Sequence, residues 1–348
     1  MQRRTFIASA TAALASPLIL GAEDKAGSKN PVLGVEGHQY EVLTHNWGEL
    51  PRDYQWQTTH NVAFDSQGHA YITHQGIGKL MDTILVFDAT GKFVRSFGKA
   101  FHGGGHGIEI RKEGSEEFCY LSNTWTKELK VMKTTLKGEV VWFKGRPDIK
   151  EYADPKVGYS PTNICFLPDG GFIVGDGYGS GYLMRYDRDA KLLNTFGGKG
   201  TVLGKFQTPH GQGLDNRVKD KPTLVVCDRA NHRLQTFNLN GTPIGATEPN
   251  EVVLFPAHAR FRGDVLLVAD LHARVSLFDK DNKVIAHLGD DEAWRKKVLG
   301  PGNVRKDPKQ WEVGKFVHPH DANFDAAGNL LVVEWVEPGR VSFLKKIV

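Results

Sequence analysis

The chain has 348 residues, 40% hydrophobic and 24% charged, with a formal net charge of +4. No basic run interleaves with aromatic residues, which argues against nucleic acid as a partner, and no apolar stretch reaches membrane-spanning length without interruption. All-β folds of this length are often one domain, so internal repetition decides the domain count.

The N-terminus reads MQRRTFIASATAALASPLILGAED, with Arg3 and Arg4 ahead of a small and apolar run that continues to Ala22. This pattern predicts a bacterial twin-arginine signal peptide over residues 1–22. It implies the twin-arginine export machinery as a partner and a periplasmic or secreted protein as the product. No cysteine follows the apolar run, so no lipoprotein anchor is expected. Residues 23–37 read as a linker and residues 38–348 as one domain.

From residue 60 onward the chain repeats. Segments begin at His60, His106, Thr162, His210, His258 and His320, and each runs into a short alternating strand, a turn and a second apolar strand. HNVAFDSQGHAYITH (60–74), TNICFLPDGGFIVGD (162–176) and HDANFDAAGNLLVVEW (320–335) show the pattern most clearly. A strand-rich repeat of about fifty residues predicts a β-propeller, here with six blades. Blade one continues through TILVFD and KFVRSFG, and blade two through FCYLSN, LKVMK and EVVWFKG. Blade three has GFIVGD, YLMRYD and LLNTFGG, blade four TLVVCD and RLQTFN, and blade five DVLLVAD, RVSLFD and KVIAHLG. Blade six ends with NLLVVEW and RVSFLKK, so its missing fourth strand is expected from HQYEVLTHNW (38–47), which would protect the sheet edges. Turns at 88–91, Asp169-Gly170, Asn240-Gly241 and 327–329 agree with hairpins. Helical periodicity is confined to DDEAWRKKVLG (290–300), read as a helix inside a long loop, and 145–160 is a similar insertion. Cys119, Cys165 and Cys227 each fall inside a strand, match no metal motif and read as small buried apolar residues.

A propeller brings equivalent positions of all blades to one central channel. His106, His210 and His320 are each followed by a small or acidic residue, and prolines before His210 and His320 help to aim those two. Three neutral imidazoles with an open fourth position suit a catalytic zinc ion. Tyr178, in GDGYG (175–179) at the end of a second strand, falls near the same mouth and can act as a general base beside a metal. Its other reading is an aromatic that covers the core. Arg229, at the equivalent strand end in VVCDRANHR, can grip a substrate carboxylate. Its other reading is a salt bridge with an aspartate such as Asp228.

These residues resemble the NHL-repeat propellers, and among them the peptidyl-α-hydroxyglycine α-amidating lyase domain. The resemblance covers about residues 58–348 and is carried by DTILVFD (82–88), HGI (106–108), VGDGY (174–178), GKFQTPHG (204–211), CDRANHRLQTF (227–237) and HPHD (318–321). It implies zinc on His106, His210 and His320, a catalytic Tyr178 and an active-site Arg229. It also implies a structural calcium on Asp321 and the backbone carbonyls of Val62 and Ile108. The chain departs from the family's pattern at three places. Gln75 stands where a second arginine is expected, His318 replaces a methionine, and Gly179 replaces a cysteine. His60, His74, His258 and His318 add imidazoles as secondary candidates, with Gln75. The expected activity is carbon–nitrogen cleavage of a small or peptide-like substrate to an amide and glyoxylate. Two other readings remain: a non-enzymatic NHL binding module with a structural metal, and another exported metal-dependent hydrolase.

Overall fold

The computed structural model describes residues 30–77, 81–126, 128 and 130–347. The expected signal peptide at 1–22 lies outside the described residues. Among the described residues no helix is long and apolar enough to cross a membrane.

Six antiparallel sheets form the blades of a propeller, five with four strands and the last with five. The inner strands are Thr59–Phe64, Gly105–Glu113, Asn163–Phe166, Pro209–Asp215, Pro256–Arg262 and Pro319–Phe324, and they pack side by side around the axis. Blade six closes as the sequence predicts. His38–Thr44 pairs with the C-terminal strand Arg340–Ile347, with Gln39 opposite Ile347 and Val42 opposite Leu344. The segment expected to be a linker contributes more than a tether, because Val32–Val35 adds a fifth, outermost strand to that blade.

Each blade is covered on both faces by its neighbours, which explains why the second strands read as continuous apolar runs rather than alternating ones. VLLVAD (265–270) and LLVVE (330–334) are examples, buried along nearly their whole length. Outer strands face solvent, and Val140–Lys144 is half exposed. Six apolar clusters lie between adjacent blades. One joins blades three and four through Ile173, Leu183, Phe206, Leu224, Val226 and Phe237. Truncating a fully buried aromatic such as Phe237 to alanine would cost about 3–5 kcal/mol.

A polar residue at the end of the second strand recurs and fixes the loop that enters each blade. Asp228 accepts Gln207 N at 2.8 Å, Asp270 accepts Leu254 N at 2.6 Å, and Glu334 accepts Val317 N at 2.6 Å. Asp176 accepts Ser160 N at 2.6 Å, and His74 does the same work in blade one by taking Gln57 N at 3.3 Å. Three of these acids also pair with an arginine at the start of the third strand: Asp228 with Arg233, Asp270 with Arg274, and Glu334 with Arg340. The loop entrances, and hence the residues that follow them, are therefore held from beneath.

The predicted helix is Glu292–Leu299. Asp291 caps it by accepting Trp294 N at 2.9 Å, Glu292 opens its first turn, and Lys296 and Lys297 close its last, all in keeping with the helix dipole. Trp294 and Val298, one turn apart, pack with Val304, Val317 and Val336, so the insertion has its own small core beside the channel mouth. Cys119, Cys165 and Cys227 are buried free thiols in strands.

Candidate metal centre

The site begins with an irregularity repeated in the inner strands. Register shifts occur between Thr59 and Asn61, Gly105 and Gly107, Pro209 and Gln212, Pro256 and His258, and Pro319 and Asp321. A bulge turns one side chain out of the pleat. The residues turned toward the axis are His60, His106, His210, Ala257 and His320, with Thr162 at the matching place in blade three. The sequence register is thus one residue off in blade five, where Ala257 rather than His258 faces the ring. The extra residue in Pro256-Ala257-His258, against Pro319-His320, becomes visible only once the bulges are aligned.

Blades two, four and six supply imidazoles whose orientation is fixed in one way. His106 Nδ1 donates to Thr162 O at 2.7 Å, His210 Nδ1 to Ala257 O at 2.8 Å, and His320 Nδ1 to His60 O at 2.7 Å. Each bond runs to the ring position of the next blade. A carbonyl can only accept, so Nδ1 carries the hydrogen and Nε2 carries the lone pair. Nε2 of His106 and of His320 is buried with no hydrogen-bond partner. The three ring centroids are mutually 4.6–4.9 Å apart. His60 lies beside them, 4.8 Å from His106 and 4.9 Å from His320, with its Nδ1 also buried and unbonded. Ligand nitrogens of His60, His106 and His320 all fall within 4.8 Å of one another.

Two glycines make this arrangement possible. A Cβ on Gly107 would lie 2.7 Å from Thr162 O, and a Cβ on Gly211 would lie 2.4 Å from Ala257 O. Those oxygens are the acceptors that hold His106 and His210. The small residue after each of these histidines, noted in the sequence, lets the next blade's carbonyl approach the ring.

All four imidazoles are held neutral. Burial lowers the pKa of His106 to about 3, with Arg229 and His258 adding to the fall against the Thr162 bond. Burial takes His60, His210 and His320 well below the ordinary value, and neighbouring cationic and imidazole groups push the same way. Three buried ring nitrogens without a hydrogen-bond partner, His60 Nδ1, His106 Nε2 and His320 Nε2, fit a borderline divalent ion. His106, His210 and His320 share the pinned Nδ1 geometry, whereas the ligand nitrogens that converge closely enough to hold an ion are those of His60, His106 and His320.

Tyr178 stands at the rim of this group. Its hydroxyl is 2.8 Å from His210 Nε2, and it accepts from Arg229 Nη1 at 3.1 Å. Asp176 secures the loop that carries it, accepting from Ser160 N, Ser180 N, Ser180 Oγ and Tyr152 Oη at 2.6–2.7 Å. Arg229 does not bridge to Asp228, whose partner is Arg233. Its Nε and Nη2 are buried and free of partners, while Nη1 faces Tyr178. Both proposed catalytic residues are therefore together over the histidines.

A cavity of about 700 Å³ opens above them, a volume suited to a small molecule. Beyond the ring it is lined by Gln75, Trp125, Ser160, Phe255, Arg305 and Trp335, among others. Of these only Gln75 stands out in the sequence. Arg305 comes from the insertion and stacks on Trp335 with its guanidinium carbon 3.6 Å from the ring centroid, paired with Glu337 at 2.6 Å. A loop residue brought in from an insertion carries no repeat signal.

Other candidates fall elsewhere. His74 is a clamp, with Nε2 donating to Asp82 O at 2.8 Å. His318 donates Nδ1 to Leu271 O at 2.6 Å and packs on Trp335. His258 sits further along the channel, 2.7 Å from Asp321 Oδ1. The calcium set does not fit a bound ion. Arg260 Nη2 and Asn323 Nδ2 both donate to Val62 O, at 3.2 and 3.0 Å, and Arg260 also binds Asp321. Burial works against ionisation of Asp321, yet Arg260 and His258 outweigh it and bring its pKa to about 2.

Fold and site together define an NHL-like six-bladed propeller with a buried imidazole centre in its channel mouth. It resembles the peptidyl-α-hydroxyglycine α-amidating lyase. The lyase 1 protein of Drosophila melanogaster is 25% identical over 302 residues, 80% of this chain and 51% of that protein. The chain spans about half the length of that curated relative. No family model matches. Among solved structures, virginiamycin B lyase from Staphylococcus aureus in its inactive form with quinupristin has a TM-score of 0.56 at 12% identity, over 86% of this chain and 98% of that one. A streptogramin B lyase has a TM-score of 0.52 at 11% identity, over 84% and 94%. At these identities the structural matches establish the propeller alone.

Proposed function

We propose that the protein is a metal-dependent carbon–nitrogen lyase acting on a small or peptide-like substrate with a hydroxyl beside a carboxylate, of the peptidyl-α-hydroxyglycine kind. The observation that carries this reading is Tyr178 Oη within hydrogen-bond distance of both His210 Nε2 and Arg229 Nη1. Zinc is the ion the donor set suits, held by His106, His210 and His320. When bound there it would supply Lewis acidity that makes a substrate hydroxyl easier to ionise. Tyr178 takes that hydroxyl proton and returns it to the amide nitrogen as the carbon–nitrogen bond breaks, giving an amide and glyoxylate. The free Nε–Nη2 edge of Arg229 offers a planar fork for the substrate carboxylate. With Gln75 in place of a second arginine, carboxylate binding rests mainly on Arg229. We further propose export by the twin-arginine route, on the Arg3-Arg4 signal expected at 1–22.

Incubation of the zinc-loaded protein with a peptidyl-α-hydroxyglycine, with glyoxylate measured over time, tests the reading. Glyoxylate release abolished in His210→Ala supports it. Bound metal without any turnover favours the binding-module or hydrolase reading instead.

A further inference from the structure

Further along the same inner strands, below the histidines, four blades converge on one guanidinium. Arg260 donates Nη2 to Asp321 Oδ2 at 2.8 Å, to Asn61 Oδ1 at 3.2 Å and to Val62 O at 3.2 Å. Its Nε reaches Asp321 Oδ1 at 3.3 Å, and its Nη1 bonds Glu109 Oε1. Val62 N and His258 Nδ1 complete the shell of Asp321, at 3.1 and 2.7 Å. The Asp321 side chain is fully buried and those of Arg260 and Glu109 are part-buried, 11% and 15% exposed.

Two carboxylates, an amide oxygen and a backbone carbonyl around one point are the donor set of a hard cation such as calcium. Two buried carboxylates in one pocket also repel unless a positive charge lies between them. Here the positive charge is part of the chain. A planar guanidinium has five donors in a fixed fork, and here they meet oxygens of both carboxylates, of the Asn61 amide and of the Val62 carbonyl.

We propose that Arg260 is a built-in replacement for a structural cation. It ties together the strands that present His60, His106 and His320, and it makes the channel indifferent to calcium. Asn61 and Asp321 directly follow His60 and His320, and Glu109 lies three residues after His106. The tie therefore acts on the backbone of the ligand strands, and Arg260 is a positioning residue. This inference holds whatever reaction the cavity performs.

Calcium chloride titrations of the wild-type protein, Arg260→Ser and Arg260→Lys, read by thermal unfolding and by calorimetric binding, test it. Sodium and magnesium chloride at matched ionic strength serve as controls. The wild type is expected to show no calcium-dependent shift in Tm and no binding heat at millimolar calcium. Arg260→Ser keeps the oxygen donors and loses the cation. Its Tm should fall by roughly 5–10 °C, and calcium, but neither control salt, should restore it. Arg260→Lys keeps a buried cation and should remain indifferent. Saturable calcium binding by the wild type overturns the proposal, as does a folded Arg260→Ser that gains nothing from calcium. Should Arg260→Ser not fold at all, the wild-type and Arg260→Lys titrations decide, with calcium dependence in either counting against it.

Discussion

His320 donates its Nδ1 hydrogen to the backbone carbonyl of His60 at 2.7 Å, so one bond of the histidine cluster crosses the seam between the last blade and the first. That seam is closed by the pairing of His38–Thr44 with Arg340–Ile347. Ring closure and ligand geometry are thus one problem. Deleting residues 30–44 leaves the C-terminal strand with a bare edge and loosens blade six. Metal affinity should fall at least about tenfold together with Tm, because an imidazole loses the acceptor that orients it. Calorimetric zinc titration of the truncated chain checks this; full affinity would separate closure from the site.

At His106 and His210 the glycine that follows is required by close approach. Gly107→Ala and Gly211→Ala would push against Thr162 O and Ala257 O. We expect each to cost about 1–3 kcal/mol of stability and about ten- to a hundredfold in metal affinity. Gly245→Ala, where an added Cβ meets nothing within 4 Å, is the control and should change neither. Chemical denaturation and zinc titration of the three variants give the comparison.

Tyr178→Phe removes the hydroxyl between His210 and Arg229 but leaves the ring, which is 41% exposed and so contributes little to the core. Turnover should drop about 10²–10⁴-fold with metal content unchanged. Arg229→Lys should act mainly on KM, because an ammonium cannot present the same fork. Steady-state kinetics on one substrate separates the two effects; equal losses in kcat and KM for both variants would contradict the assigned roles.

The histidines also set an acid limit. Unfolded imidazoles take up protons near pH 6.5. In the fold, burial lowers His106 to about 3 and takes His60, His210 and His320 well below the ordinary value. The unfolded state therefore binds more protons between those limits, so stability is complete above about pH 6.5 and is lost as pH falls toward 3. Thermal unfolding of the metal-free protein should show Tm falling steadily below about pH 6.5. A flat profile down to about pH 4 would show that the rings are not held neutral.

Much of this was readable in the sequence, and the failures have physical causes. Six blades, the closing strand at 38–47 and the helix within 290–300 follow from hydrophobic period and turn residues, which are local signals. So does the gathering of His106, His210, His320 and Tyr178, because a repeat places equivalent residues around one axis. The displacement of His258 by Ala257 was hidden, since a bulge shifts register without changing composition. Arg260, on which the proposal of a built-in cation rests, reaches Asp321 from another blade, 61 residues away in the chain, where no repeat signal announces it. His74 looked like a ligand but occupies the clamp position held by Asp176, Asp228, Asp270 and Glu334 in other blades. Trp125, Arg305 and Phe255 line the cavity from loops, where no repeat announces them.

Whether these imidazoles hold a metal is decided by the zinc content of the wild type and of His106→Ala, His210→Ala and His320→Ala, determined by elemental analysis after zinc loading and gel filtration. About one zinc per folded wild-type chain is expected, with loss of that ion from each of the three variants. Stoichiometric zinc retained by any one of them, or a folded wild type that takes up none, would contradict it.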